Sequence, residues 1–188
     1  MKQNIRCAIG LLALASLALA AQATTLVSMN LDQLAAAASV VARVRCLGNE
    51  MRWEDGEIYT FTTFEVVESL KGSAPQQIIV RLIGGRVGSV TSKVDGVPRF
   101  QPGEETFLFV EPKPTGDWGV SGWVQGTFRI RRDPHTQQES VTQDTAMVTV
   151  FDRQTQKFRA GGVRHLSVAQ FKLRVAEAIE RQREARQP

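Results

Sequence analysis

The residues able to do chemistry are few and scattered. Histidine occurs only at positions 135 and 165, and cysteine only at 7 and 46. A zinc centre needs three or four nitrogen, sulfur or carboxylate ligands, usually two of them at helical or turn spacing. Two histidines 30 residues apart beside Cys46 do not supply that set, so no metal and no cofactor is expected. His135 falls in a polar stretch and reads as solvated. His165 precedes a helix cap, where a polar boundary residue competes with a general base. A serine hydrolase requires its nucleophile on a sharp turn. Gly119-Val120-Ser121-Gly122 is one residue short of that elbow and lies in a strand pattern, so Ser89, Ser92 and Ser121 read as loop or strand serines. Cys46 ends an alternating strand pattern and reads as a small buried apolar residue rather than a reactive thiol. Glu50, Glu54, Asp55 and Glu57 give part of a calcium-loop pattern, but surface turns favour such residues in any case. No catalytic residue is assigned.

Binding is better represented than catalysis. Gly84-Gly85-Arg86-Val87-Gly88 puts flexible backbone beside an arginine, which suits an anion, although it matches neither the dinucleotide fingerprint nor the phosphate loop. The competing reading is a bulge or tight turn that lets a sheet bend. Trp53, Trp118, Trp123 and Tyr59 offer ring faces for stacking or for packing, and Asp117-Trp118-Gly119 places Trp118 in a turn. The candidate ligand-binding residues are Arg86, Arg99, Tyr59 and Trp118, and one ligand would require all four on one concave surface.

The elements that would position them are mostly strands. Asn30 caps a short helix with Gln33 at its third position, and Met29 and Leu34 occupy the staple positions. Val40, Ala42, Val44 and Cys46 then alternate with Val41, Arg43 and Arg45, as a half-buried strand requires. Asp55-Gly56 is a hairpin dipeptide ahead of the β-branched and aromatic run from Ile58 to Val67. Lys71 to Pro75 breaks that run, Gln77 to Ile83 resumes it, and Pro98 to Gly103 is a second breaker. Phe107 to Val110 forms a short apolar strand. Gly119 to Val124 and Thr127 to Ile130 read as a hairpin turning near Gly126. Arg131 to Asp144 reads as a polar, mobile surface loop. Met147 to Phe151 and Lys157 to Arg159 are weaker strands. The strongest helix spans 167–186, capped by Ser167 with Gln170 at its third position and Val168, Phe171, Val175, Ala178 and Ile179 on one face. The pattern predicts a mainly β fold: a small OB-like barrel with a short N-terminal helix and a C-terminal amphipathic helix, with a β-sandwich as the alternative.

The N-terminus reads as an export signal. Lys2 and Arg6 precede an apolar run of 13 residues from Ala8 to Ala20, too short to span a bilayer. Ala21-Gln22-Ala23 then predicts cleavage after Ala23. Residues 1–23 are therefore expected to be a signal peptide and 24–188 one domain, periplasmic or extracellular, without a membrane anchor after processing. The formal charge of +4 falls to +2 without Lys2 and Arg6. That excess lies after Ser167, so the body is near neutral and no nucleic-acid partner is expected.

Ala38-Ser39-Val40-Val41-Ala42-Arg43-Val44 after a short helix, a long strand ending in Leu70-Lys71-Gly72, and Pro102-Gly103-Glu104 leading into Phe107-Leu108-Phe109-Val110 resemble the netrin-like modules. These include the tissue inhibitors of metalloproteinases, and the resemblance, over residues 31–110, implies a five-stranded OB-type barrel with terminal helices. Tyr59-Thr60, Lys71-Gly72, the 84–88 loop and Pro98-Arg99-Phe100 are similar, more closely, to a group of secreted bacterial proteins of unknown function, which implies no activity. The metalloproteinase inhibitors share an N-terminal cysteine that reaches the target's zinc. The processed chain here would begin Thr24-Thr25, so that chemistry is not implied.

These observations favour an exported, non-enzymatic binding or interaction module whose partner is a protein or a small anionic ligand. The alternatives are an envelope hydrolase using His165, a protease-inhibitor-like module without the zinc-chelating cysteine, and, on fold analogy only, an oligonucleotide binder, which the near-neutral body disfavours. N-terminal sequencing of the protein recovered outside the inner membrane is expected to start at Thr24. A product that retains Met1 overturns the export assignment.

Overall fold

The computed structural model describes residues 26–145, 148–159 and 161–185. The expected signal peptide, Met147 and the end of the predicted helix at Arg186 lie outside the described residues.

The fold is built on one long hairpin. Asp55 (φ 51°) and Gly56 (φ 83°) form a two-residue turn with the positive dihedrals that match strand twist. The turn joins β2 (Val40–Glu54) to β3 (Glu57–Lys71), each of 15 residues, with Glu54 opposite Glu57. Irregularities at Val41/Ala42, Arg43/Val44 and Cys46/Gly48 bend the pair. β4 (Gln77–Ile83) pairs with β3, and β7 (Glu105–Pro112) with the first half of β2. β8 (Trp118–Val120) closes the circuit, antiparallel to β7 and parallel to β4 through Val80 and Trp118. The order β2-β3-β4-β8-β7 returning to β2 is a partly closed five-stranded OB-like barrel, not a sandwich.

Outside the barrel, β9 (Thr127–Arg132) continues the sheet from β7, followed by β10 (Glu139–Gln143) and β13 (Leu166–Ser167). β5 (Gly85–Val87) and β6 (Val90–Ser92) form a small hairpin after β4. β1 (Leu26–Val27), β11 (Val150–Asp152) and β12 (Lys157–Arg159) make a separate three-stranded sheet. The α-helices among the described residues are α1 (Leu31–Ala37) and α2 (Val168–Glu184), and both expected capping boxes, Asn30 with Gln33 and Ser167 with Gln170, are formed.

Two apolar cores share one wall. Val40, Ala42, Val44, Cys46, Phe64, Val80, Leu108 and Val110 fill the barrel, plugged by Val97 and Phe100 from the β6–β7 connection. Val41, Phe107, Phe109, Phe128 and Val141 pack on the other side against Leu34 and Ala38 at α1 and Phe171, Val175 and Ala178 of α2. β7 is thus buried on both faces, which is why Phe107-Leu108-Phe109-Val110 does not alternate. Lys71-Gly72 is a joint: the Lys71 Nζ donates to the Ala35 and Ala38 carbonyls (2.5 and 2.6 Å) at the end of α1. Gly72 (φ 69°) leaves no room for a Cβ beside the Ser39 carbonyl.

Three expectations are corrected. β8 and β9 are not a hairpin, because both pair with the same edge of β7, at Val110–Pro112 and Thr106–Leu108, and a 3-10 turn at Trp123–Gly126 carries the chain between them. The stretch from Arg131 to Asp144 is not a loop. β9 runs to Arg132 and pairs in register with β10 around a short turn that Asp133 caps by accepting from the His135 and Thr136 amides. Gln143 is buried and donates to the Gln125 carbonyl (2.5 Å), so a polar strand was satisfied by hydrogen bonds where apolar residues are the usual signal. Trp118 begins strand β8 instead of sitting in the preceding turn.

On the outer face Arg43 bonds Glu105 and Glu139, Arg45 bonds Glu105 and Glu65, and Arg132 bonds Glu139. Burial works to raise Glu105, but hydrogen bonds from Arg45 and Arg43 outweigh it and hold the carboxyl below its ordinary 4.5. Hydrogen bonds from Arg132 and Arg43 do the same for Glu139. The unfolded chain therefore binds more protons in that range, so this stabilisation is complete above 4.5 and is lost as pH falls below it. Arg43→Met should flatten the acid limb of the melting temperature against pH. Phe171 touches Phe107 and Phe128, each at 4.8 Å between ring centroids, and is fully buried. Phe171→Ala should cost about 3–5 kcal/mol, read as a lower urea midpoint at unchanged slope.

Candidate functional site

The irregularity at Cys46/Gly48 changes which residues of β2 face inward. Before it the even-numbered residues fill the barrel; after it Asn49 and Met51 sit opposite Thr62 and Thr60. The inward row of β3 meanwhile passes from Phe64 to Thr62 and Thr60, so the apolar interior gives way to a polar mouth. Its hydroxyls are committed. Thr62 donates to the Asn49 Oδ1 (2.6 Å), and Thr60 donates to the Gly84 carbonyl (2.6 Å).

The β6–β7 connection crosses this mouth. Phe100 enters the barrel edge-on to Phe64 at 4.9 Å, and its carbonyl accepts from the Asn49 Nδ2 (2.9 Å). Arg99, exposed overall, turns its head inward so that Nη1 donates to the Thr60 Oγ1 (3.2 Å). Among the described residues that is the guanidinium's single hydrogen bond, and it has no ion pair there. Lost water with no carboxylate to offset it pushes Arg99 below its ordinary basicity. Gly84 (φ 91°) makes the approach possible, since a Cβ there would overlap the Arg99 Nη2 and come within 2.8 Å of the Ser92 carbonyl.

Arg99, Asn49, Thr60, Thr62 and Gln101 form the polar side of a cavity of about 300 Å³, and Met51, Leu82, Phe100 and Pro102 form its apolar side. Arg129 of β9 ties the connection down. It donates to the Arg99 carbonyl (2.8 Å), pairs with Glu104 and with Asp144 (2.6 Å), and lies 5.4 Å from the Phe100 ring centroid.

Of the four candidate residues, Arg99 lines this cavity and the others lie elsewhere. Arg86 is exposed, and its Nε folds back onto the Gly88 carbonyl (3.1 Å). Tyr59 faces outward from β3 beneath the Arg81 guanidinium, 3.9 Å from its ring centroid. Trp118 is half-buried and lines a separate groove with Phe61, Arg52 and Ile79. The 84–88 segment acts through close approach: a Cβ on Gly85 would crowd Thr60, Ile58 and Met51. Sequence reasoning named no residue of this lining except Arg99 as a binding candidate, and Asn49 and Met51 head those it missed. A one-residue phase change in β2 hid these two, and no motif marks the rest.

The remaining chemistry-bearing residues do not assemble. His135 and His165 are exposed, and neither imidazole hydrogen-bonds among the described residues. Glu50 pairs with Arg52 and Glu54 with Arg81, which splits the turn acids, and no group of three or more His, Cys, Asp or Glu is placed to hold a metal among the described residues. No described helix is long and apolar enough to cross a membrane. In α2, Lys172, Arg181 and Arg183 pair with Glu68, Asp32 and Glu180.

Arg129→Met should leave Glu104 and Asp144 without their cation and cost about 3 kcal/mol, the low end for a broken buried pair because both acids keep some solvent. Hydrogen exchange at the Gly103 amide, now bonded to the Cys46 carbonyl at 2.8 Å, should accelerate before that of the barrel strands. No protein-family model and no curated protein matches the chain, so the cavity's geometry is what bears on function.

Proposed function

We propose that the protein is an exported, non-enzymatic binding module that takes a small anionic ligand at the barrel mouth. The observation that carries this reading is the Arg99 guanidinium on the wall of a cavity, partly desolvated and, among the described residues, held by one hydrogen bond and without an acid. Charges withdrawn from water are ordinarily paired, and a perturbed cation in a concave site with polar and apolar walls is the usual form of a ligand pocket. An anion would restore the missing partner.

The cavity's contents favour binding over catalysis. Two committed hydroxyls, two amides and a guanidinium include no nucleophile adjacent to a general base. Export rests on Lys2, Arg6, the apolar run to Ala20 and the small residues Ala21 and Ala23.

Thermal denaturation with the sodium salts of phosphate, sulfate, acetate and citrate at constant ionic strength tests the proposal. At least one should raise the melting temperature, by the equivalent of about 2.7 kcal/mol at a hundredfold excess over its Kd. Arg99→Met should abolish the rise. Equal responses from both proteins, or none from either, count against an anion site at Arg99.

A further inference from the structure

We infer that the anion taken by the Arg99 cavity is a small organic monocarboxylate whose apolar body lies against Met51, Leu82, Phe100 and Pro102. This rests on the anion-binding reading above and narrows it to a ligand class.

The charge count comes first. One guanidinium without an acid matches one negative charge, and its planar fork suits the two oxygens of a carboxylate. A phosphate dianion would need a second free cation, and Arg129 of β9, which donates to the Arg99 carbonyl, is already bound to Glu104 and Asp144.

Donor supply is sufficient for such a ligand. The Thr60 and Thr62 hydroxyl protons are given to the Gly84 carbonyl and the Asn49 Oδ1, so neither hydroxyl has a proton left to donate to a ligand. The Asn49 amide spends one proton on the Phe100 carbonyl. Apart from the N–H given to the Thr60 Oγ1, the Arg99 fork, the second Asn49 proton and the Gln101 side-chain amide remain for a ligand, ample for the two oxygens of a carboxylate, so it is the charge count that disfavours a phosphate dianion.

Shape supplies the rest. Beyond the guanidinium the walls are a thioether, an isobutyl group, a phenyl ring and a pyrrolidine, surfaces that gain by excluding water from hydrocarbon. At about 300 Å³ the cavity lies at the small end of ligand pockets, roughly 300–1,000 Å³, so the body must be short.

Titration calorimetry of the full protein with acetate, butyrate, hexanoate, benzoate and inorganic phosphate tests this. Affinity should rise about fourfold for each methylene from acetate to butyrate as hydrocarbon leaves water, and hexanoate or benzoate should bind more tightly than phosphate. Arg99→Met should weaken hexanoate at least tenfold. Met51→Glu, at a side chain 42% exposed, should do the same by placing an anion on the rim without disturbing the core. Affinity independent of chain length, tighter binding of phosphate, or an indifferent Met51→Glu protein overturns the monocarboxylate class and leaves the anion site standing. Absence of any Arg99-dependent binding, phosphate included, overturns both.

Discussion

The structure depends on a strand that changes phase. In its first half β2 serves two cores at once, with Val40, Ala42, Val44 and Cys46 inside the barrel and Val41 against the helices. The irregularity at Cys46/Gly48 then lets a 15-residue strand bend and reassigns its faces. A regular strand would carry its even-numbered residues inward to the tip, placing Glu50 and Arg52 in the barrel mouth. The shift puts Asn49 and Met51 there and leaves the ions on the outer face, where Arg52 stacks on Phe61 at 3.7 Å and Glu54 meets Arg81. Barrel closure and a mouth that is polar without being densely charged follow from the same local departure.

Two arginines flank that mouth in contrasting states. Arg129 is bound by two acids and a backbone carbonyl and fixes the chain that carries Arg99. Arg99 has a hydroxyl oxygen and a cavity. Arg99 is exposed as a whole, and the partial desolvation of its head carries a modest cost. Neighbouring groups hold it there: Phe100 anchored in the barrel, the carbonyls of residues 99 and 100 both hydrogen-bonded, and Gly84 leaving space for the head. Local cost imposed by a rigid surround is a common feature of binding sites.

Much of the architecture was legible because its signals are short-range. The capping boxes at Asn30 and Ser167, the Asp55-Gly56 turn, the alternation from Val40 to Cys46 and the apolar face of α2 each involve residues a few positions apart, and each occurs where the pattern places it. The failures share a different cause. β8 and β9 look like a hairpin because they are adjacent in sequence, but they compete for one edge of β7. β10 looks like a loop because Val141 is its one fully buried apolar side chain, with Gln143 held by a hydrogen bond instead.

The sequence by itself determined the two described helices with their caps, the long hairpin and the main barrel strands β4 and β7, and that Arg99 sits between two prolines beside Phe100. Helical and strand periods and caps are written in neighbouring side chains and need no knowledge of distant ones. Tertiary structure alone decided the closing pair between Val80 and Trp118, the inward phase of Asn49 and Met51, the separation of Tyr59 and Trp118 from the cavity, and which arginine received the acids. Those outcomes depend on pairings between residues tens of positions apart, where a one-residue change in register moves a side chain to the opposite face.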